Sequence, residues 1–458
     1  MADWIFFLAT FGCKVNQYES QALREAWHTL DGREADDPAD AAWIVINTCA
    51  VTARAASDAR QAVRSLHRQA PDARIVLTGC SASIAGPQLA ALPGVAAVIA
   101  QSDKERLLAG PPFACSSPDG LSPTAPSVPN PDWPALRIAS YRRSRPVLKV
   151  QDGCSHGCAY CVVPLTRGPA RSRAPEDVLA EAKRLLAAGY RELVLSGVNL
   201  LQYRMPGTDR LDFWDLLARL DAALTPQWQG RARLRLSSID PAQLGPKARD
   251  TLAAAHLVCP HVHISLQSGS PAVLRRMGRS HYDPGAIPDA LRDLSAIWPV
   301  FGLGADVLVG FPGESRAECR ETLDLLHALP LSYAHVFPYS RRPGTAAADL
   351  PDLPGPEKRA RAALARTVAA AKQRNFLQSL LNVPELRLAP DAPQGNPGED
   401  EDEIFLPVNA QDSGRVRGIT ECYAACLLPA GSVKAGSREL LRVRPTGLAG
   451  ACLTAVPA

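Results

Sequence analysis

The sequence lacks an uninterrupted apolar run of the roughly 18 residues that a membrane-spanning helix needs, which argues against a membrane protein. Its first residues, Met1-Ala2-Asp3-Trp4, lack the basic segment and long apolar stretch of a secretory leader, so the expected location is the cytoplasm. It has little excess charge of either sign: 50 Lys and Arg against 46 Asp and Glu leave a net charge of +4. That balance neither requires nor excludes a nucleic-acid partner, because a local basic patch counts for more than the total. Cysteine, by contrast, is abundant, with 12 residues. In a reducing compartment clustered cysteines are metal ligands or catalytic groups more often than disulfides.

A length of 458 residues corresponds to about three domains. Near the N-terminus three short apolar runs each lead into a cysteine. Ile5-Phe6-Phe7-Leu8 precedes Thr10-Phe11-Gly12-Cys13, Trp43-Ile44-Val45-Ile46 precedes Asn47-Thr48-Cys49, and Ile75-Val76-Leu77 precedes Thr78-Gly79-Cys80. Such runs read as buried strands. Helical patterns lie between them, around Ser20–Leu30 and Ala53–Gln69, and strand–helix–strand repetition implies a parallel sheet. The three cysteines would then gather at the carboxyl edge, where ligands bind in such sheets.

Gly110 to Pro134 is rich in proline and serine and reads as a linker, with Cys115 incidental within it. Six strand candidates follow, Val147–Val150, Glu192–Leu195, Arg233–Leu236, His261–Leu266, Gly304–Val309 and Ala334–Phe337. Helical stretches such as Pro175–Ala188 and Arg316–Leu329 separate them, predicting a partial (β/α)6 TIM-like barrel with its chemistry at the carboxyl ends of the strands. The last segment carries a solvated acidic run, Glu399–Glu403, and short β-like pieces, Ile404–Val408 and Leu440–Val443, consistent with a small β-barrel. The expected fold class is therefore α/β, with domains at 1–109, 136–380 and 385–458 and a linker at 110–135.

Cys154-Ser-His-Gly-Cys158-Ala-Tyr-Cys161 forms a CxxxCxxC cluster just after the first barrel strand. A four-iron cube needs one ligand per iron, so three thiolates leave one iron open for a small molecule. The alternative is zinc, with His156 or a distant residue as fourth ligand, although zinc sites more often use paired CxxC spacings. Cys13, Cys49 and Cys80 form a second three-thiolate set, for which the alternative is three small buried hydrophobes.

The CxxxCxxC loop resembles that of the radical S-adenosylmethionine (SAM) superfamily, and the chain as a whole resembles the radical SAM methylthiotransferases over about residues 5–380. The stretches that carry this are Thr10–Ser20 (TFGCKVNQYES), Asn47–Thr52, Gly79-Cys80, Gly168–Arg173, Leu195–Asn199, Ser265–Ser270, Asp306–Glu314 and Tyr339–Thr345. The GCKVNQYES wording is similar to the branch that acts on N6-threonylcarbamoyladenosine at tRNA position 37. Other branches act on isopentenyladenosine or a ribosomal protein. An unrelated alternative is a non-catalytic iron–sulfur carrier or zinc-dependent RNA-binding module.

The resemblance implies two [4Fe-4S] clusters, one on Cys154, Cys158 and Cys161 and an auxiliary one on Cys13, Cys49 and Cys80. One SAM methylates a sulfur held at the auxiliary cluster; another yields the radical that abstracts hydrogen from C2 of the adenine. Tyr160 would pack beside SAM, Gly197 would meet its methionine part, Ser237 or Ser238 its ribose, and Gln267 faces the same mouth. Gly310–Gly313 lines the adenine or forms a tight turn. The partner is the tRNA anticodon loop, the expected electron donor reduced flavodoxin or ferredoxin, and residues 385–458 correspond in length and place to a degenerate form of the family's small TRAM β domain. Basic clusters at Arg142/Arg143/Arg145, Arg167/Arg171/Arg173 and Lys434/Arg438/Arg442/Arg444 are the expected phosphate contacts. Cys259, Cys319, Cys422, Cys426 and Cys452 match no ligand position and read as structural.

Overall fold

The apolar runs form strands that are covered on both faces, which is why Ile44-Val45-Ile46 and Ile75-Val76-Leu77 are wholly buried. The computed structural model describes residues 4–111, 133–205, 211–391, 415–434 and 436–458. Most of the linker with Cys115, the acidic run Glu399–Glu403 and the segment Ile404–Val408 lie outside the described residues. The chain divides into two units. The first comprises Met1–Tyr141, Lys149–Ala174 and Ser340–Ala348; the second comprises Arg142–Leu148, Pro175–Tyr339 and Asp349–Ala458.

In the first unit β1 (Trp4–Thr10), α1 (Lys14–His28), β2 (Gly32–Glu34), β3 (Trp43–Thr48), α2 (Ala53–Gln69), β4 (Arg74–Gly79), α3 (Cys80–Ala90) and β5 (Val95–Val98) follow in order. The sheet order is β2-β1-β3-β4-β5, with every pair parallel. Val63 and Leu66 of α2 pack on Ile44, Ile46, Ile75 and Leu77. On α1, Trp27 sets its ring edge against Phe6 of β1. Helix α1 starts at Lys14, well before the expected Ser20. Its first turns bury polar Asn16, Glu19, Ser20 and Gln21, so no apolar stripe announces them.

Next in the chain come β6 (Val147–Lys149), β7 (Gln151–Asp152), α4 (Val163–Arg167) and β8 (Arg171–Ser172), with β7 and β8 paired antiparallel. The second unit continues through α5 (Pro175–Ala187), β9 (Glu192–Ser196), α6 (Phe213–Trp228), β10 (Arg233–Leu236), β11 (Ser238–Ile239), α7 (Pro246–Ala254) and β12 (His261–Gln267). After these come α8 (Pro271–Arg276), α9 (Ile287–Ile297), β13 (Gly302–Val309), α10 (Arg316–Ala328) and β14 (Tyr333–Pro338). The strands lie in orders β10-β9-β6 and β11-β12-β13-β14, and the β9–β10, β11–β12, β12–β13 and β13–β14 ladders are parallel. The expected strands are therefore present, within one to two residues at most ends.

Helix α11 (Gly355–Leu380) leads into a closed barrel of β15 (Leu386–Pro390), β16 (Val416–Thr420), β17 (Ala425–Leu428), β18 (Leu441–Ala449) and β19 (Cys452–Pro457). Leu377 and Leu380 of α11 join its core beside Leu388, Leu428, Val443 and Leu453. The barrel seats on the amino ends of the parallel strands. Arg233 donates to the Arg387 and Ile419 carbonyls at 2.8 and 2.9 Å, and Arg235 to those of Glu421 and Thr420 at 3.0 and 2.9 Å. At the start of β13, a Cβ on Gly302 would stand 2.0 Å from the Cys422 carbonyl oxygen. Of the cysteines read as structural, Cys259, Cys319, Cys422 and Cys426 are buried.

Glu192 holds both of these arginines, accepting from Arg233 Nε at 2.6 Å and Arg235 Nε at 2.5 Å. Burial pushes its carboxyl up, but the two guanidinium charges outweigh that and hold it down to about 2. A depressed carboxyl contributes stability above its ordinary value of 4.5, and the contribution is lost as pH falls toward about 2. Glu192→Gln is expected to cost about 3 kcal/mol at neutral pH. It should also flatten the acid limb of stability across that window, followed by circular dichroism in denaturant. An acid limb matching that of the unaltered protein would remove the triad from the account of stability.

Candidate active site

Each N-terminal cysteine stands where a strand hands over to a helix. Cys13 occupies the N-cap of α1, Cys49 follows β3, and Cys80 opens α3. Gly12 makes the approach possible: its φ is +98°, and a Cβ there would lie 2.8 Å from Cys49 Sγ. Gly79 does the same for Cys80 with φ +94°, a Cβ there meeting the Thr48 carbonyl oxygen at 2.3 Å. Cys49 and Cys80 are buried and Cys13 is exposed. Burial, then the charge of the neighbouring Cys13 sulfur and after it that of Cys80, push the Cys49 thiol up to about 12. Three sulfurs this close need a shared cation to ionise together.

The second triplet sits on a loop pinned at both ends. Gly153, with φ +67°, passes so close to Pro169 that a Cβ would lie 2.0 Å from its carbonyl oxygen. Cys154 N donates to the Gly168 carbonyl at 3.0 Å, and Cys161 N to the Cys158 carbonyl at 3.0 Å. Cys154 is buried, while Cys158, Tyr160 and Cys161 are half-buried. All six cysteines belong to the first unit. Among the described residues, the one group of three whose donor atoms all lie within 4.8 Å of one another is His263, Asp306 and His335.

A buried charge network joins the two sets of loops. Glu19 on α1 takes Lys104 at 2.5 Å, Lys149 at 2.8 Å and Arg167 at 2.8 Å. Asp152, two residues before Cys154, takes Lys149 at 2.7 Å and Arg167 at 2.9 Å. Arg167 also donates to Asn16 Oδ1 at 2.6 Å, three residues beyond Cys13. Burial raises the Glu19 carboxyl, yet Arg167, Lys104 and Lys149 together hold it well below the usual range. Arg171 also reaches Asp152 at 3.6 Å, so cations outnumber the two carboxylates beside the thiols, the sign that three thiolates on an iron–sulfur cube require. Both triplets therefore fit iron–sulfur clusters.

The network corrects one expectation from the sequence. Arg167 and Arg173 are buried, Arg173 completely, and so are not phosphate contacts on a basic surface. Arg173 spends its guanidinium on the Tyr18 hydroxyl and the Lys149 carbonyl. Of the other clusters, Arg142, Lys434, Arg442 and Arg444 are exposed, Arg145 is bound to Asp391 at 2.8 Å, and Arg438 lies 4.0 Å over the Tyr190 ring. The sequence reading missed Glu19, Lys104, Lys149 and Asp152. The signal available was Lys149 and Asp152, charges flanking an apolar strand just before the cysteine loop.

The second unit places the remaining candidates at strand ends. Gly197 follows β9, Ser237 follows β10, and Gln267 ends β12. The hydroxyls of Ser237 and Ser238 are buried without a hydrogen-bond partner, which suits a polar ligand such as the SAM ribose. Gln267 has φ +59° at a register shift, a strained backbone of the kind held at binding sites. Gly310-Phe311-Pro312-Gly313 forms a tight turn after β13, its two glycines at φ +71° and +75° and the Gly310 N–H bonded to Glu314 at 2.7 Å. His263, missed in the sequence, links the Tyr333 hydroxyl at 2.9 Å to Asp306 at 3.1 Å within the parallel strands.

The chain is also similar to known proteins. The family profile described as Radical SAM superfamily matches residues 148–326, and that described as Uncharacterized protein family UPF0004 matches residues 5–100. The chain is 36% identical over 346 residues to threonylcarbamoyladenosine tRNA methylthiotransferase MtaB of Bacillus subtilis, covering 75% of each chain. It is 32% identical over 389 residues to tRNA-2-methylthio-N(6)-dimethylallyladenosine synthase of Roseobacter denitrificans, covering 82% of this chain and 85% of that one. The solved structure of the radical S-adenosylmethionine methyltransferase TsrM from Kitasatospora setae, with cobalamin and a [4Fe-4S] cluster bound, aligns with a TM-score of 0.57. That alignment covers 76% of this chain and 77% of that one at 17% identity, a likeness of fold. Identity of this extent, running through both the UPF0004 and the radical SAM regions, establishes that the chain belongs to the radical SAM methylthiotransferase family.

Proposed function

We propose that this protein attaches a methylthio group to C2 of N6-threonylcarbamoyladenosine at position 37 of tRNA. The observation that carries this reading is the presence of two cysteine triplets on loops of one unit, tied together through Arg167. Cys154, Cys158 and Cys161 would hold the cluster that binds SAM, and Cys13, Cys49 and Cys80 the auxiliary cluster. With SAM bound, the first supplies one-electron cleavage chemistry strong enough to remove an unactivated hydrogen, and the second supplies sulfur. The protein's part is placement. The candidates for contact with SAM are Tyr160 in the first unit and, in the second, Gly197, the unpartnered Ser237 hydroxyl, which would meet its ribose, and the strained Gln267. Arg167, Lys149 and Asp152 tie both cysteine loops to one buried network.

The base at position 37 must leave its stack to reach such a site, so the anticodon loop is the part of the tRNA engaged. Exposed Lys434, Arg442 and Arg444 on the C-terminal barrel are available for phosphate, and reduced flavodoxin or ferredoxin would deliver electrons in the cytoplasm. The functional divisions would be an auxiliary-cluster domain at 1–109, a linker at 110–135, a radical SAM core at 136–380 and a TRAM-like domain at 385–458. The choice of threonylcarbamoyladenosine is supported by the GCKVNQYES segment and by the names of the MtaB relatives. Mass spectrometry of tRNA nucleosides from a deletion strain, with and without the gene restored, tests it. Loss of only the 2-methylthio-threonylcarbamoyl nucleoside is expected. Loss of the isopentenyl product instead would move the protein to the other branch.

A further inference from the structure

Arg342 breaks a rule that every other buried arginine among the described residues obeys. Six of them meet a carboxylate, as Arg167 meets Glu19 and Arg361 meets Glu314. Arg173 meets a hydroxyl and a carbonyl. Arg342 is only 7% exposed, its Nε is buried without a hydrogen-bond partner, and no carboxylate stands within ion-pair distance of it among the described residues. A largely buried guanidinium with its Nε unpartnered and no carboxylate beside it is costly unless an anion arrives.

Its position says which anion. Arg342 lies in the segment Ser340–Ala348 of the first unit, which runs from one cysteine loop to the other. At one end Ser340 Oγ accepts from Ala53 N at 3.0 Å, just after the Cys49 loop. At the other, Ala347 N donates to the Ala159 carbonyl at 2.7 Å, between Cys158 and Tyr160. Thr345 fixes the turn between them, donating from N at 3.3 Å and Oγ1 at 2.8 Å to the Arg342 carbonyl. The charges that act most on Arg342 are the Cys49 sulfur and, from α2, Arg60. Among the described residues no carboxylate forms an ion pair with Arg342.

We propose that Arg342 is the anion-holding residue of the auxiliary site, its guanidinium donating to a small sulfur anion, hydrosulfide or an alkyl thiolate, held beside Cys13, Cys49 and Cys80. This rests on the reading of that triplet as an iron–sulfur ligand set. A small anion suits the burial, since a nucleic-acid phosphate brings bulk that a side chain this enclosed does not admit. The segment that carries Arg342 also touches the radical SAM loop, so the same residue would keep the sulfur on the side facing the second triplet.

The test uses the full chain with Cys154, Cys158 and Cys161 all changed to alanine, so that only the auxiliary triplet can load. After anaerobic reconstitution, methanethiolate is titrated and followed by electron paramagnetic resonance of the reduced cluster. Arg342→Gln is expected to keep its iron and bind methanethiolate at least about tenfold more weakly. Arg342→Lys, which keeps the charge but loses the fork, is expected to fall between the two and preserves the test should the glutamine variant fail to load. Equal affinity in the parent and in whichever of these variants loads would overturn the proposal while leaving the cluster in place. A parent protein with no four-iron signal would overturn the cluster reading, and the proposal with it.

Discussion

Cys158→Ala is expected to abolish reductive cleavage of SAM, and Cys49→Ala to leave that cleavage running while abolishing methylthio transfer. Each variant removes one thiolate from one triplet, and a cube with three protein ligands does not survive on two. Both cysteines lie in loops pinned by backbone hydrogen bonds and glycine turns that alanine leaves intact, so the fold should persist. Iron content is expected to fall by about four per chain in each variant. Production of 5′-deoxyadenosine and of the methylthiolated nucleoside, measured in the same reactions, separates the two roles. Product formation by either variant would remove that triplet from the chemistry. Equal loss of cleavage in both would mean that the clusters do not divide the work.

Arg167→Met is expected to destabilise the first unit by about 3–5 kcal/mol and to lower its thermal midpoint by about 10 °C. Methionine fills a similar volume, so the cost is electrostatic. Glu19 and Asp152 would each lose a partner while staying buried. In the native network burial raises the Asp152 carboxyl, and Lys149 followed by Arg167 bring it down to about 2. That stabilisation is present above the ordinary carboxylate value and disappears as pH falls toward about 2, so the variant's deficit should shrink in acid. Because Arg167 also bonds Asn16 near Cys13, both clusters are expected to load poorly. A midpoint shift below about 2 °C in differential scanning calorimetry, with full iron, would show that the network is dispensable.

How much could be read beforehand differs from element to element. Strands β3 and β4 and helix α2 were legible because their apolar or amphipathic patterns are continuous. The start of α1 was not, because the face that buries Asn16 and Glu19 looks like a solvated one until Arg167 and Lys104 arrive. The same blindness assigned Arg167 and Arg173 to an RNA surface. Strand β17, Ala-Cys-Leu-Leu, was missed because four residues of modest β-propensity announce nothing outside the closed barrel that pairs them.

The sequence alone determined the chemistry of this protein: two sets of three cysteines, one within a single short loop and one at the ends of three similar strands. Side-chain type and close spacing are properties of the covalent chain, and they survive whatever the fold does. Only the tertiary structure decided the electrostatics. Glu19 and Arg167, 148 positions apart, become one ion pair, and Arg342 is buried with its Nε unpartnered. A charge is stabilised or stranded by what packs around it once water has gone, and no local pattern records that.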